Sequence, residues 1–286
     1  MLNDAVAIAK QADVTIAIVG LTPYMEGEES SFSSPGFFGG DRVDLDLPKT
    51  QQNMLEALSA TGKPLIVVLT SGSALAVTWA QAHANAIVQA WYPGEEGGTA
   101  VAQVLAGDYN PAGRLPLTFY KSVSQLPPFS SYAMNGRTYR YFQGTPLYPF
   151  GYGLSYTKFA YSNLRASSPQ VDDGVTISVD VKNSGAVAGD EVVQLYLSHR
   201  DAAGAPIRAL AGLQRVHFEP GKQSTVTFKP TEREWSVVDS AGARKLVPGN
   251  VEVWVGGGQP IAVPGLPATE GLKTELKITR AATLPE

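Results

Sequence analysis

The first part of the chain alternates apolar runs with helical patterns. Three of the runs have the character of buried strands, at 14–19, 65–69 and 86–90. A helix pattern at 48–62 lies between the first two runs, with Pro48 near its start and Gly62 as its stop. Continuous apolar strands separated by helices are typical of a parallel sheet covered on both faces. This part of the chain is therefore predicted to be an α/β unit.

The second part of the chain has a different period. In 175–182 apolar residues alternate strictly with polar ones, and the same alternation recurs in 193–197 and 251–255. Turn signals separate these segments, and several short half-buried strands at such spacing predict a β-sandwich of the immunoglobulin-like or fibronectin-III-like type. The predicted domains are a partial parallel-sheet α/β sandwich at 1–120, a connector at 121–160 and a fibronectin-III-like β-sandwich at 161–286.

Three unusual loops follow the three predicted strands of the first part, at 26–46, 71–73 and 93–98. Ligands of open α/β sheets bind outside the carboxyl ends of the strands, so we expect these loops to meet at one edge. The first loop is longer than the roughly 12–15 residues usual in compact domains. It begins with Glu26, Glu28 and Glu29, carboxylates that could perform acid–base chemistry on a neutral polar substrate. A solvated acidic turn, or a structural ion pair with Arg42, is the alternative.

Composition excludes several classes of function. The 286 residues carry a net charge of -4 with no basic stripe, so a nucleic-acid interface is not expected. The absence of cysteine rules out disulfides and a cysteine nucleophile. His83, His199 and His217 are scattered, which supports neither a histidine metal site nor a Ser-His-Asp triad. No apolar run approaches the roughly 20 residues that cross a bilayer, and no nucleotide motif or cofactor signal is present.

Three motifs in the middle of the chain are highly specific. They read WYPGEEGG at 91–98, GDYNPAGRLP at 107–116 and YPFGYGLSY at 148–156. In this order they resemble glycoside hydrolase family 3, a family that contains β-glucosidases and β-xylosidases. The resemblance covers about residues 3–260. Residues 189–196, GDEVVQLY, are similar to the fibronectin-III-like domain that closes many members.

The resemblance implies retaining hydrolysis by two carboxyl groups from different domains. In the family, an Asp nucleophile lies on an N-terminal (β/α)8 barrel and a Glu general acid/base lies on a loop of the following α/β sandwich domain. By position, Glu28 matches the acid/base segment, which precedes a Gly-Asp-Arg like the one ending at Arg42; Glu29 and Glu26 are the alternatives. Asp41 and Arg42 are expected to fix the base of the loop rather than to contact substrate.

The chain also departs from the family pattern. We expect it to lack the barrel with its nucleophile, and its first residues read as the middle of a longer α/β domain, so the chain alone is expected to be inactive. The implied partners are a β-linked oligosaccharide or glycoside substrate and either a barrel-containing chain or a second copy of this chain. No nucleic acid, membrane or cofactor is implied. The first residues lack the pattern of a signal peptide, and the family resemblance is compatible with a periplasmic or secreted protein.

Two other functions are weighed against this one. The chain could be a non-catalytic module that binds carbohydrate or protein, which an exposed coplanar pair formed by Trp235 and Trp254 would favour. A self-sufficient hydrolase would instead need an aspartate of the first loop, one of Asp41, Asp44 and Asp46, opposite Glu28. Arg114, in the motif at 107–116, is expected to tie the connector to the α/β domain through carboxylates of that domain.

Overall fold

A computed structural model describes residues 1–171 and 174–285. The chain divides into two compact units, which are treated separately here. The first unit comprises 1–106, 118–131 and 144–148, and the second comprises 107–117, 132–143 and 149–286. Segments of 121–160 thus belong to both units. In the described part of the chain, no helix has the combination of length and apolar character needed to span a membrane.

The first unit is built on a parallel sheet. Its elements in chain order are α1 (Leu2–Gln11), β1 (Thr15–Gly20), β2 (Phe37–Phe38), β3 (Asp41–Arg42), α2 (Lys49–Ser59), β4 (Leu65–Thr70), α3 (Thr78–His83), β5 (Ala86–Gln89), α4 (Gly97–Ala106) and a 3-10 helix at Val123–Gln125. Strands β1, β4 and β5 pair in parallel in the order β1-β4-β5. The predicted parallel α/β sheet is therefore confirmed.

The centre of this sheet is strand β4. Leu65, Val67 and Val68 are almost completely buried, and Leu55 of α2 is buried as well. Strand β1 lies at the edge and differs from its prediction as a buried strand, because Ile16 is 49% exposed and Ile18 67% exposed. Both residues lie on the same face of β1, two positions apart, and that face is left uncovered.

The second unit contains most of the β-structure. Its elements are α5 (Thr138–Tyr141), β6 (Phe159–Ala166), β7 (Gln170–Val171), β8 (Ile177–Asn183), β9 (Gly189–His199), β10 (Ala209–Phe218), β11 (Gln223–Phe228), α6 (Glu232–Trp235), β12 (Val237–Val238), β13 (Arg244–Leu246), β14 (Gly249–Gly256), β15 (Gly271–Ile278) and β16 (Ala282–Thr283). They form a five-stranded sheet β10-β9-β14-β15-β7 and two three-stranded sheets, β11-β8-β6 and β12-β13-β16.

The core of the second unit follows the period-2 pattern of the sequence. The alternate residues of β8, β9 and β14 that point inward are buried together. They include Ile177, Val179, Val193, Leu195 and Val253. Because successive side chains of a strand point to opposite faces, this alternation builds one apolar layer between two sheets. The predicted β-sandwich is confirmed.

Arg114 makes a buried ion pair inside the second unit. Its Nη2 lies 3.1 Å from a carboxylate oxygen of Glu191 on β9, and its Nε donates to the carbonyl of Gly257 at 3.2 Å. The hydroxyl of Tyr161 donates to the other oxygen of Glu191 at 2.8 Å. Arg114 therefore binds a carboxylate as expected, but the expected partner was wrong: Glu191 belongs to the β-sandwich and not to the α/β unit.

Candidate active site

The three loops of the first unit meet at the side chain of Glu26. The first loop follows β1 and carries Glu26, whose carboxylate accepts a hydrogen bond from the backbone N–H of Gly72 at 2.8 Å. It also accepts short hydrogen bonds from the hydroxyl of Ser73 and the hydroxyl of Tyr92. Gly72 and Ser73 follow β4, and Tyr92 follows β5. The expectation that these loops converge at the carboxyl edge of the sheet is confirmed.

These contacts keep Glu26 ionised. Partial burial acts to raise the pKa of its carboxyl, but the three hydrogen bonds and the nearby positive charge of Arg42 outweigh burial, and the pKa lies below its usual value. The effect on Tyr92 is the opposite. Burial and the hydrogen bond to the Glu26 anion raise the pKa of the Tyr92 phenol to about 12. At neutral pH the pair is therefore a phenol that donates to a carboxylate.

Arg42 fixes the base of the first loop, as the sequence suggests. Its Nη1 donates to the hydroxyl of Ser73 at 2.7 Å and to the carbonyl of Ala74 at 2.6 Å. Ser73 in turn donates to Glu26, so the guanidinium and the carboxylate are joined through one hydroxyl. Asp41, beside Arg42, is exposed and pairs with Phe38 in the β2–β3 ladder. Arg42 is thus linked to the acidic loop by the hydrogen bonds of Ser73 with Arg42 and Glu26.

The first loop also has a small core of its own. The rings of Tyr24 and Phe32 make an edge contact with centroids 5.5 Å apart, and Phe32 contacts Phe37 in the same way at 5.4 Å. Gly40 has a φ of +83°, and a methyl group there would overlap the carbonyl oxygen of Gly27. Only glycine allows this approach without strain. The loop therefore has a defined shape although it contains little regular structure.

Glu28 and Glu29 differ from Glu26. Both are exposed, and within the described residues the structure gives neither side chain a hydrogen bond or an ion pair. Glu29 has a φ of 48°, in the left-handed region that few residues other than glycine adopt. Two residues away, Glu26 has both of its oxygens occupied. Of the three carboxylates that open this loop, one is anchored by hydrogen bonds and two are exposed.

Of the other aspartates of the loop, Asp44 binds the backbone. Asp44 accepts hydrogen bonds from the N–H of Leu45 at 2.6 Å and of Asp46 at 3.3 Å, which shapes the end of the loop. Burial, and then the negative charge of Asp44, raise the pKa of Asp46, whereas Arg42 opposes the change.

The motif at 91–98 is shaped by close packing of Gly97, where an added methyl group would overlap the ring of Pro93.

Replacing Gly72 with alanine should disturb the Glu26 cluster. An added methyl would lie 2.9 Å from a ring carbon of Tyr92 and 3.2 Å from a carboxylate oxygen of Glu26. We expect Gly72→Ala to lower the free energy of unfolding of the first unit by about 1–3 kcal/mol, the usual result of overpacking. Urea unfolding measures this. Gly98→Ala is the matched control, since no atom beyond its chain neighbours and the backbone of its own helix lies within 4 Å of its added methyl. An equal effect of the two changes would contradict the packing at Gly72.

The tryptophans of the second unit do not form an exposed platform. Trp235 is 2% exposed and belongs to the sandwich core. Trp254 is half-buried, and its indole N–H donates to the carbonyl of Gly258 at 2.9 Å. The criterion set for a carbohydrate-binding module, an exposed coplanar pair, is therefore not met.

Two models of known protein families match parts of this chain. The model of the glycosyl hydrolase family 3 C-terminal domain matches residues 1–156, which is more than half of the chain. The chain belongs to glycosyl hydrolase family 3. The model of the fibronectin type III-like domain matches residues 191–259 of this family 3 chain, within the β-sandwich.

Individual relatives include both enzyme types of the family. The family 3 chain is 42% identical over 255 residues to a xylan 1,4-beta-xylosidase of Xylanibacter ruminicola, covering 89% of this chain and 30% of the enzyme. It is 43% identical over 243 residues to a periplasmic beta-glucosidase of Salmonella typhimurium, covering 80% of this chain and 30% of that protein. A beta-glucosidase structure from Kluyveromyces marxianus superposes with a TM-score of 0.83 at 32% identity, covering 99% of this chain and 33% of the other. The chain thus spans about a third of the length of these relatives.

The sequence alone did not identify the partners of Glu26. Ser73 and Tyr92 lie 47 and 66 residues away along the chain. The strand–loop pattern indicated that their loops would meet, but nothing in the local sequence marks a serine or a tyrosine as the donor to a particular glutamate. The aromatic core of the loop was missed too. Part of its signal was present, because Tyr24, Phe32, Phe37 and Phe38 are the large aromatic residues among small and polar ones, although Phe38 is exposed.

Proposed function

We propose that this chain supplies the general acid/base of a retaining, exo-acting β-glycosidase of the β-glucosidase or β-xylosidase type. The substrates would be β-linked glycosides and oligosaccharides, cleaved at the terminal non-reducing sugar. Glu28 is the proposed acid/base. The observation that carries the proposal is the contrast on one loop: the carboxylate of Glu26 is occupied by three donors, and that of Glu28, two residues later, is exposed.

The contrast favours Glu28 over Glu26 for a chemical reason. A general acid must hold a proton and deliver it to the oxygen of the leaving group, within hydrogen-bond reach. Glu26 has a lowered pKa, and both of its oxygens already accept hydrogen bonds, so it is ionised and its oxygens are engaged by other donors. Glu29 is exposed like Glu28, but Glu28 is the residue that matches the acid/base segment of the family.

The proposed reaction has two steps. Glu28 first protonates the glycosidic oxygen while a carboxylate nucleophile attacks the sugar carbon, which gives a glycosyl-enzyme intermediate. The Glu28 carboxylate then removes a proton from water, which hydrolyses the intermediate. The two carboxyl groups must lie about 5–5.5 Å apart across the sugar. Neither unit of this chain is a barrel, and we propose that the nucleophile comes from the barrel domain that the family resemblance implies.

Turnover by a fusion protein tests this proposal. The chain is joined to the part of the Xylanibacter ruminicola xylosidase that lies outside the matched region, and hydrolysis of nitrophenyl β-xyloside and nitrophenyl β-glucoside is measured. We expect activity from the fusion, none from this chain alone, and a large loss in Glu28→Gln but not in the matched control Glu29→Gln. A fusion that folds and loses activity only in Glu29→Gln would move the assignment to Glu29. Turnover by the chain alone would contradict the need for a barrel.

A further inference from the structure

We propose that Glu26 and Tyr92 act together as positioning residues that hold the backbone of Glu28 in place while its side chain stays free. We call the hydrogen-bonded group of Glu26, Gly72, Ser73 and Tyr92 the Glu26 clamp. This inference rests on the proposed function of Glu28. A general acid is efficient only when it is held near the proton acceptor, and a misplacement of about 1 Å can cost about 100-fold in rate.

The backbone on both sides of Glu28 is restrained. The N–H of Glu26 donates to the carbonyl of Thr22 at 3.2 Å, and its side chain is bound by the other two loops. Gly27 is packed against Gly40. On the other side, the N–H of Ser30 donates to the carbonyl of Gly39 at 3.0 Å. Because consecutive Cα atoms lie 3.8 Å apart, fixing Glu26 and Ser30 keeps the Cα atom of Glu28 within about 7.6 Å of both.

Tyr92 is the residue of the clamp that lies furthest from Glu26 along the chain, and the backbone just before it is strained. The preceding residue, Trp91, has a φ of 58°, a conformation that costs about 1–3 kcal/mol for a residue other than glycine. The ring of Trp91 makes an edge contact with Phe119, with centroids 6.1 Å apart. With Trp91 in this left-handed conformation, the next residue, Tyr92, presents its hydroxyl to Glu26. Strain of this kind is concentrated at functional sites.

A stabilising role alone does not explain the arrangement. Tyr92 is exposed and Glu26 is only partly buried, so water competes for their hydrogen bond and reduces its contribution to the global free energy of unfolding. The clamp joins the loops after β1, β4 and β5 at a single carboxylate, and that carboxylate is two residues from Glu28. Its main effect is therefore on the position of the acid.

Hydrogen exchange of this chain tests the clamp without any enzyme assay. We expect Glu26→Gln and Tyr92→Phe each to speed amide exchange in residues 22–46 at least about tenfold, with no change in β4. Tyr24→Phe is the matched control: it removes a phenol from the same loop and keeps the ring that contacts Phe32. Unchanged exchange in both clamp variants would overturn the proposal whatever Glu28 does.

The leaving group of the substrate provides the catalytic readout in the fusion described above. A substrate with a poor leaving group, such as phenyl β-xyloside, needs the acid, whereas a dinitrophenyl glycoside does not. We expect Tyr92→Phe and Glu26→Gln to lower kcat/KM about 10- to 100-fold for the phenyl substrate and to leave the dinitrophenyl substrate nearly unchanged. The double variant should be no worse than Glu26→Gln alone, because Tyr92 acts through its hydrogen bond to Glu26.

The results of these experiments can contradict the Glu26 clamp and the proposed function of Glu28 independently. Equal losses for both substrates, or none, in the clamp variants would overturn the clamp even if Glu28→Gln behaves as an acid/base variant. If Glu28→Gln itself shows no dependence on the leaving group, the proposed function fails first, and the catalytic part of the inference fails with it. The exchange result then still decides whether Glu26 and Tyr92 hold the loop.

Discussion

Arg114→Met is expected to lower the free energy of unfolding of the β-sandwich unit by about 3–5 kcal/mol, since it leaves a buried carboxylate without its positive partner. The side chains of Arg114 and Glu191 are only 9% and 4% exposed. Burial raises the pKa of Glu191, and Arg114 and Tyr161 oppose that change. Without Arg114, only the hydroxyl of Tyr161 would still bind this carboxylate among the contacts that the structure gives it.

The effect of Arg114→Met should depend on pH. The folded-state pKa of Glu191 already lies above its ordinary value of 4.5, and removing Arg114, which opposes that shift, would raise it further. A group of this kind adds stability in its protonated form, and that stability is lost as the pH rises through the folded pKa. The difference between the variant and the parent chain should therefore be largest near pH 7 and shrink as the pH falls toward 4.5.

Urea unfolding, followed by hydrogen exchange of peptides from β9, measures this difference. Arg200→Met is the matched control, because it breaks an ion pair with Glu252 in which the arginine is 67% exposed. Such surface pairs contribute about 0–1 kcal/mol. A loss in Arg114→Met no larger than that of the control, or a loss that does not vary with pH, would contradict the account of Glu191.

Glu28→Gln should slow the fusion enzyme by an amount that depends on the substrate. General acid catalysis contributes about 10²- to 10⁴-fold, and it is needed only when the departing oxygen is a poor leaving group. We expect a loss of that size in kcat/KM for phenyl β-xyloside and almost none for a dinitrophenyl glycoside, whose departure needs no proton. Glutamine has nearly the same size and shape as glutamate, so the loop keeps its conformation. The loss of kcat/KM then measures the missing proton donor and not a change in folding.

Steady-state kinetics on the two substrates, for Glu28→Gln beside Glu29→Gln, measures this dependence. The control changes the neighbouring exposed carboxylate and should leave both substrates unaffected. Equal losses on both substrates in Glu28→Gln would show that the residue does not donate the proton. A preserved phenyl activity would exclude Glu28 from the reaction.

The β-sandwich was predictable because its signal is local. Alternation in 175–182 directly determines which residues of β8 face the core, and Ile177, Val179 and Val181 are buried accordingly. The burial of strand β1 was predicted wrongly, because the burial of a sheet face depends on which other elements pack against it. Its apolar run is like that of β4, yet Ile18 is exposed while Val68 is buried.

The site was predictable at the level of loops and not of partners. Parallel topology brings the carboxyl ends of β1, β4 and β5 to one edge, so convergence of their loops follows from the strand pattern. The hydrogen bond between Tyr92 and Glu26 and the ion pair between Arg114 and Glu191 link residues 66 and 77 positions apart. Such contacts depend on the folded geometry of several elements, which a single sequence does not specify.

The claim that Glu28 is the acid/base is tested most directly by azide rescue of the Glu28→Gln fusion. Once a dinitrophenyl β-xyloside has formed the glycosyl-enzyme, hydrolysis is slow because no base activates water, but azide is a nucleophile that needs no base. The account predicts that azide restores turnover of Glu28→Gln and yields the β-xylosyl azide, with no such product from the parent fusion. If Glu28→Gln is inactive and azide neither restores turnover nor forms the glycosyl azide, Glu28 is not the acid/base.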